Sequence, residues 1–179
     1  MPNLPMPEGL SNPDLECVML ALPPQPVLRY IDPEKHDDLF FGDIPELQYA
    51  QGAVAETEAH VTLLFGIHPS PSYRRLVDAV LEGSKMPLIT IDHVGHFPSR
   101  IDGQDYNCIV AHVAVTPELL EGNARLQILD HTNSYPEYKP HMTLAYIKGD
   151  ADLDYWIKTL DDVYRGQTIA PTHLDYGDD

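Results

Sequence analysis

A chain of 179 residues, 43% hydrophobic and with a formal charge of −17, is long enough for one cored domain. Its acidity works against gripping a long polyanion, which needs many Lys and Arg phosphate contacts, and favours a small anionic ligand held in a local pocket. No run approaches the ~18 apolar residues of a membrane span, and two cysteines outside any metal-type spacing, Cys17 and Cys108, suit a reducing compartment rather than a disulfide framework.

Residues 1–14 are rich in Pro and polar side chains and read as an extended arm. The first seven have neither a basic flank nor an apolar core, so no secretory signal is expected and the cytoplasm is the expected location. The apolar run at 16–22, stopped by Pro23 and Pro24, predicts a first strand. From 23 to 59, Pro, Asp and Gly recur without periodicity. Unstructured segments of that length inside a domain are usually lids or binding loops. Gly42 and Gly52 would let this one bend, and Arg29, Tyr30 and Lys35 in it are candidates to meet a ligand, the other reading being a surface loop with no role.

A strand at 60–65 follows. Ser72 then caps a helix with Leu76, Val77, Val80 and Leu81 on one stripe and Gly83 at its end. A strand from 88 toward Phe97, a hairpin turn at 98–104 signalled by Asp102-Gly103, and a partner strand at 106–115 come next. Thr116 caps a second helix, with Pro117 in its first turn, running to about Asp130. The loop 132–140 carries Tyr135, Tyr138 and Lys139 up to a strand that opens at His141 and breaks at Gly149-Asp150. A helix at 152–160 with Trp156, Ile157 and Leu160 on one stripe, a last strand at 168–174 and an acidic tail at 176–179 complete the chain, leaving 15–175 as one folded domain.

One pattern occurs twice. His60-Val61-Thr62-Leu63-Leu64-Phe65 is matched 81 residues on by His141-Met142-Thr143-Leu144-Ala145-Tyr146. Nine His and nine Thr would give roughly half a His-x-Thr by chance, so two copies that both open an apolar strand are informative. Side chains alternate along a strand. His60 and Thr62 therefore share one face, with Val61, Leu63 and Phe65 on the other; His141 and Thr143 share a face, with Met142, Leu144 and Tyr146 behind. An imidazole moves protons near neutral pH, and a hydroxyl beside it holds a phosphate oxygen. Two such pairs facing each other supply a proton donor and a proton acceptor around one phosphoryl group. Each motif strand has a helix close by, which suggests a pseudo-symmetric α+β protein with two lobes around a cleft.

Rival chemistries are poorly served. His93 and His96, three apart on a strand, point to opposite faces and make poor co-ligands. His36-Asp37-Asp38 reads as a solvated turn. There is no H-E-x-x-H, Cys pair, P-loop or glycine fingerprint, and Ser70 and Ser72 lack a nucleophile-elbow context. Neither a metal nor another cofactor is expected. Tyr30 is a candidate for base stacking, as is Tyr138, and Lys139 for a phosphate contact.

The paired motifs resemble the two-histidine (2H) phosphoesterase superfamily over roughly residues 15–175. Tyr138-Lys139-Pro140-His141-Met142-Thr143-Leu144-Ala145-Tyr146 and His60-Val61-Thr62-Leu63-Leu64-Phe65-Gly66 look most like its phage anti-CBASS branch, enzymes that destroy cyclic oligonucleotide alarm signals. The resemblance implies an α+β fold of two pseudo-symmetric lobes, each an antiparallel sheet with flanking helices, around a cleft. It implies His60, Thr62, His141 and Thr143 as catalytic residues, working without a metal. The implied reaction is hydrolysis of cyclic di- or trinucleotides by a phage protein in the bacterial host cytoplasm. The partner is then the cyclic oligonucleotide, with no long nucleic acid and no membrane; the number of subunits is open. The same four residues would serve opening of 2′,3′-cyclic phosphates or RNA end processing. A non-catalytic nucleotide sponge is the alternative of another class, and the completeness of both His-x-Thr units counts against it.

Overall fold

The computed structural model describes residues 3–42, 51–133, 135 and 137–178. Its strands are β1 (Glu16–Ala21), β2 (His60–Ile67), β3 (Ile89–Pro98), β4 (Tyr106–Val113), β5 (His141–Lys148), β6 (Thr168–Ile169) and β7 (His173–Asp175). Its α-helices are α1 (Ala55–Glu58), α2 (Tyr73–Leu81), α3 (Pro117–Leu126) and α4 (Leu153–Tyr164). The strands form two antiparallel sheets, in the orders β2-β1-β7 and β5-β4-β3-β6. Each motif strand is thus an edge of its own sheet. This is the expected α+β arrangement.

The sheets share one core. Val18, Leu20, Val61 and Leu63 of the first and Ile91, Ile109, Met142 and Leu144 of the second are buried in a single cluster with Trp156 and Leu160 of α4. Burying each such side chain contributes roughly 1.5–3 kcal/mol, enough to hold the lobes in one orientation. Capping sets where the helices begin: Thr116 accepts from the Leu119 amide at 3.3 Å and Asp152 from the Tyr155 amide at 3.2 Å.

Several expectations need correction. The 23–59 segment contains 3-10 turns at Val27–Tyr30 and Pro33–Asp38 and the short α1. Val27, Ile31, Leu39 and Ala55 anchor it in the core at intervals that match neither helix nor strand period, which hid them from a periodicity reading. Residues 43–50 lie outside the described residues. Leu76 is exposed, while Tyr73 and Val77 are the buried residues of α2. Ser72 stands at the N-cap of α2 but makes no side-chain cap bond. α3 stops at Leu126 and tightens into i→i+3 bonds from Ile128 to Arg125 and Leu129 to Leu126.

The last strand is in fact two. Pro171 has no amide hydrogen to offer a ladder; β6 before it pairs with β3, and β7 after it with β1. One short segment therefore ties the sheets together. The C-terminal residues dock on α2, where Tyr73 donates to the Tyr176 carbonyl at 2.6 Å and Arg74 meets Asp178 at 2.7 Å. In the N-terminal stretch, the Leu4 amide donates to the His131 carbonyl at 2.7 Å, and Asn12–Asp14 makes a 3-10 turn.

Candidate active site

Both motif histidines are held in the same way. The Nδ1 of His60 donates to the Glu58 carbonyl at 3.0 Å, and the Nδ1 of His141 donates to the Lys139 carbonyl at 3.0 Å. A carbonyl only accepts, so each Nδ1 carries the hydrogen and Nε2 is the ring nitrogen whose protonation can change. In each case the partner is two residues upstream, where the chain enters the strand. The strand start itself fixes the tautomer.

The strands depart from simple alternation at one shared place. Met19 faces Thr62 while Val18 faces Leu64, so Leu63 is an extra residue. Val110 faces Thr143 while Ile109 faces Ala145, so Leu144 is extra. Each is a β-bulge, which restarts the alternation one residue later. Phe65 and Tyr146 were expected on the core face; the bulges return both to the face of the threonines, opposite Cys17 and Cys108 respectively. The doubled apolar pair after each threonine, Leu63-Leu64 and Leu144-Ala145, was the sequence signal for this.

Those two cysteines complete the symmetry. The Cys17 thiol donates to the Thr62 hydroxyl at 3.8 Å, and the Cys108 thiol to the Thr143 hydroxyl at 3.9 Å. Burial pushes both thiols up to about 11 despite the threonine contacts, so at neutral pH each remains S–H, a donor. With one lone pair occupied, each threonine hydroxyl keeps its own hydrogen to donate. A weak S–H···O contact is worth invoking where the geometry recurs, and here it recurs in both lobes. No spacing in the sequence pairs these cysteines with the motifs.

Around His141 the surroundings favour the neutral ring. Burial lowers its pKa, opposed by the Lys139 carbonyl and helped by the charges of His60 and Arg100. Phe97 packs edge-to-face on His141 at 5.2 Å between centroids, and Arg100 lies 5.7 Å over the Phe97 ring while donating to the Tyr135 hydroxyl at 3.2 Å. Phe97, Arg100 and the cysteines are site residues that sequence reading missed.

The remaining candidates are spread. Tyr138 is a strut: its hydroxyl donates to the Thr62 carbonyl at 2.8 Å and joins the two motif strands. Lys139 is exposed, 3.8 Å from the Glu137 carboxylate. Tyr30 packs against Tyr164 of α4 at 6.3 Å, and α4 covers the core face of the second sheet, opposite Thr143. That position does not support a stacking role for Tyr30 here. Tyr135 is half exposed and accepts a hydrogen bond from Arg100. A cavity of about 560 Å³ elsewhere has His36, Asp37, Asp105, Lys148 and Asp150 in its walls and none of the motif residues; three carboxylates against one lysine disfavour a phosphate. Among the described residues, no group of three or more His, Cys, Asp or Glu is arranged to hold a metal ion.

The sequence profile of the 2′-5′ RNA ligase superfamily matches residues 32–173, a span that contains both His-x-Thr motifs. The chain belongs to that superfamily. It is thereby a two-histidine phosphoesterase, an enzyme of the phosphoric diester hydrolase type. Among solved structures it is similar to Kluyveromyces marxianus Usb1, at 8% identity and a TM-score of 0.52, covering 93% of this chain and 95% of that one. Usb1 solved with uridine monophosphate aligns at 10% identity and a TM-score of 0.55, covering 94% and 97%. At such identities the likeness speaks for the fold. No curated protein matches the chain at a significant level. Among the described residues, no helix is long and apolar enough to cross a membrane.

Proposed function

We propose that this superfamily member is a metal-independent phosphodiesterase that cleaves 3′,5′ linkages of cyclic di- or trinucleotides, serving a phage against CBASS immunity in the bacterial cytoplasm. The observation that carries the chemistry is the mirrored pair: two histidines with Nδ1 pinned on a backbone carbonyl, each with a threonine two residues on. The resemblance of the motif flanks to the anti-CBASS branch supports the substrate class. So does a charge of −17, which disfavours long nucleic acid. Uridine monophosphate held by a protein of the same fold agrees with a nucleotide ligand.

In the proposed mechanism His141, kept neutral by burial, His60 and Arg100, removes the proton from a neighbouring 2′-hydroxyl. That oxygen bonds to phosphorus, the bond from phosphorus to the 5′-oxygen breaks, and His60 protonates the leaving oxygen. Water attack on the same phosphorus is the hydrolytic variant and uses the same groups. The hydroxyls of Thr62 and Thr143 donate to the non-bridging oxygens as their charge grows, and Arg100 adds a cation beside them.

The test is a panel of cyclic di- and trinucleotides, 2′,3′-cyclic mononucleotides and RNA ends, assayed with EDTA present. Turnover of the cyclic oligonucleotides is expected. Activity lost to EDTA and restored by Mn²⁺ or Zn²⁺ would overturn metal independence. Cleavage confined to 2′,3′-cyclic phosphates or RNA ends would move the reading to RNA processing, and tight binding of intact ligand would make the protein a sponge.

A further inference from the structure

The open face of the second sheet carries a histidine row of which the catalytic scheme uses only His141. His93 on β3, His112 on β4 and His141 on β5 are direct cross-strand neighbours. A bulge at Asp92 breaks alternation and puts His93 on this face. The rings of His93 and His112 stack at 4.6 Å between centroids and 24° between planes. Phe97 stands between this pair and the catalytic ring, edge-to-face on His112 at 5.7 Å and on His141 at 5.2 Å. Gly95 leaves the room: a Cβ there would sit 3.0 Å from the His112 Nε2. His93 donates its Nδ1 hydrogen to Asp92 at 2.6 Å, which leaves its Nε2 for another partner.

We propose that His93 and His112 form a second phosphate subsite beside the catalytic pair, so that the preferred substrate carries at least two phosphates. This rests on the phosphodiesterase reading above and deepens it. His112 lies one strand spacing, roughly 5 Å, from His141, and His93 lies two, roughly 10 Å, a reach that leads away from the phosphate being cleaved toward the next one of an oligonucleotide.

The charges around it are of both signs, with carboxylates beside His93 and cationic groups around His112. His112 faces His93 and Asp92 from β3 and His141 and Lys139 from β5; Asp161 of α4 faces His93. Burial and the neighbouring cations hold His112 toward its neutral form. An arriving phosphate supplies the negative charge that lets it take a proton. An acidic protein thereby gains a cationic site only when the ligand is in it. Phe97 also offers a flat surface to the nucleoside between the two phosphates.

The experiment compares adenosine 3′,5′-bisphosphate with adenosine 5′-monophosphate by calorimetric titration of the whole chain at about pH 6 and about pH 8. The second phosphate is expected to tighten binding about tenfold at the lower pH, as one charge-assisted contact would. Raising the pH should shrink that ratio. The ligand itself gains charge as pH rises, so a falling ratio has to come from the protein. His112→Gln and His93→Gln should each remove the preference while leaving monophosphate affinity within twofold. A bisphosphate bound no better than the monophosphate, or a preference kept in both variants, overturns the subsite. If the preference is present but no phosphodiester is turned over, the subsite stands and the proposed activity fails; turnover without the preference is the reverse.

Discussion

His141 and His60 are chemically alike but differently placed, and that difference is measurable. A base must be neutral to work, so the rate rises as pH climbs through the pKa of His141. Burial first, then the charges of His60 and Arg100, lower that pKa, so the acid limb should lie below the ordinary imidazole value of about 6.5. The limbs of the profile belong to the coupled pair rather than to either histidine alone. Arg100→Gln should move the acid limb upward; a limb that stays in place would break the link between Arg100 and His141. The shift also has a stability sign. Because the folded-state pKa is depressed, this contribution is intact above the unfolded value and declines as pH falls below about 6.5. His60→Ala and His141→Ala should each cost about 10²–10⁴-fold in turnover. The double variant should lose less than the product, since both act on one transition state. A loss under tenfold in either single variant would end the two-histidine mechanism. Among the tyrosines, Tyr135→Ala should weaken ligand binding roughly five- to a hundredfold, as loss of one stacked base does. Tyr30→Ala should leave affinity within twofold. Fluorescence titration of both variants separates the two placements.

At the level of elements, the two motif strands are held by devices that only the fold displays. Gly66 follows the first bulge with φ near 107°, and a Cβ there would collide with the Thr132 carbonyl oxygen. The chain entering the second motif loop runs hard against β2 at this point; the Thr132 amide also bonds the Gly66 carbonyl at 2.8 Å. Gly66→Ala should therefore cost about 2–4 kcal/mol, through both backbone strain and the lost approach. Urea unfolding of the variant checks it, and a change under 0.5 kcal/mol would mean the contact is dispensable. The strands themselves were legible, because apolar runs bounded by Pro and Gly leave few other readings: 60–65 and 106–115 became β2 and β4 with small changes at their ends. The His and Thr of each motif stay on a common face because the bulge comes after them. Phe65 and Tyr146 were misplaced for the same reason, since one extra residue reverses every later face and a strict period-two reading passes over the doubled apolar pair that marks it. Cys17, Cys108, Phe97 and Arg100 were invisible as site residues because their roles depend on register between strands far apart in sequence. Tyr30 lies against Tyr164 of α4, a position hidden from the sequence because proximity along a loop says little about which side of a sheet that loop covers.

For the molecule as a whole, charge bears on what can bind. The formal charge is −17, with 11 Lys and Arg against 28 Asp and Glu. Within this field the cationic groups near the motifs are few: Arg100, Lys139 and the histidines. A ligand that extended beyond them would meet a surface of its own sign, and each further phosphate would be repelled rather than held. Length should therefore add nothing once a substrate fills the histidine row. In salt titrations, single-stranded nucleic acid loses affinity with a log–log slope of roughly −0.7 per phosphate neutralised. With one phosphate at the motif pair and one at His93 and His112, the slope for a cyclic dinucleotide should be about −1.5 or shallower. A single-stranded RNA of some twenty nucleotides should bind no more tightly than the dinucleotide and show the same slope. Affinity measured against salt for both ligands decides it. A slope of about −4 or steeper for the long RNA, with affinity rising along with its length, would mean that a cationic track follows the backbone. The small-ligand reading would then give way to RNA processing, with the same two histidines at its centre.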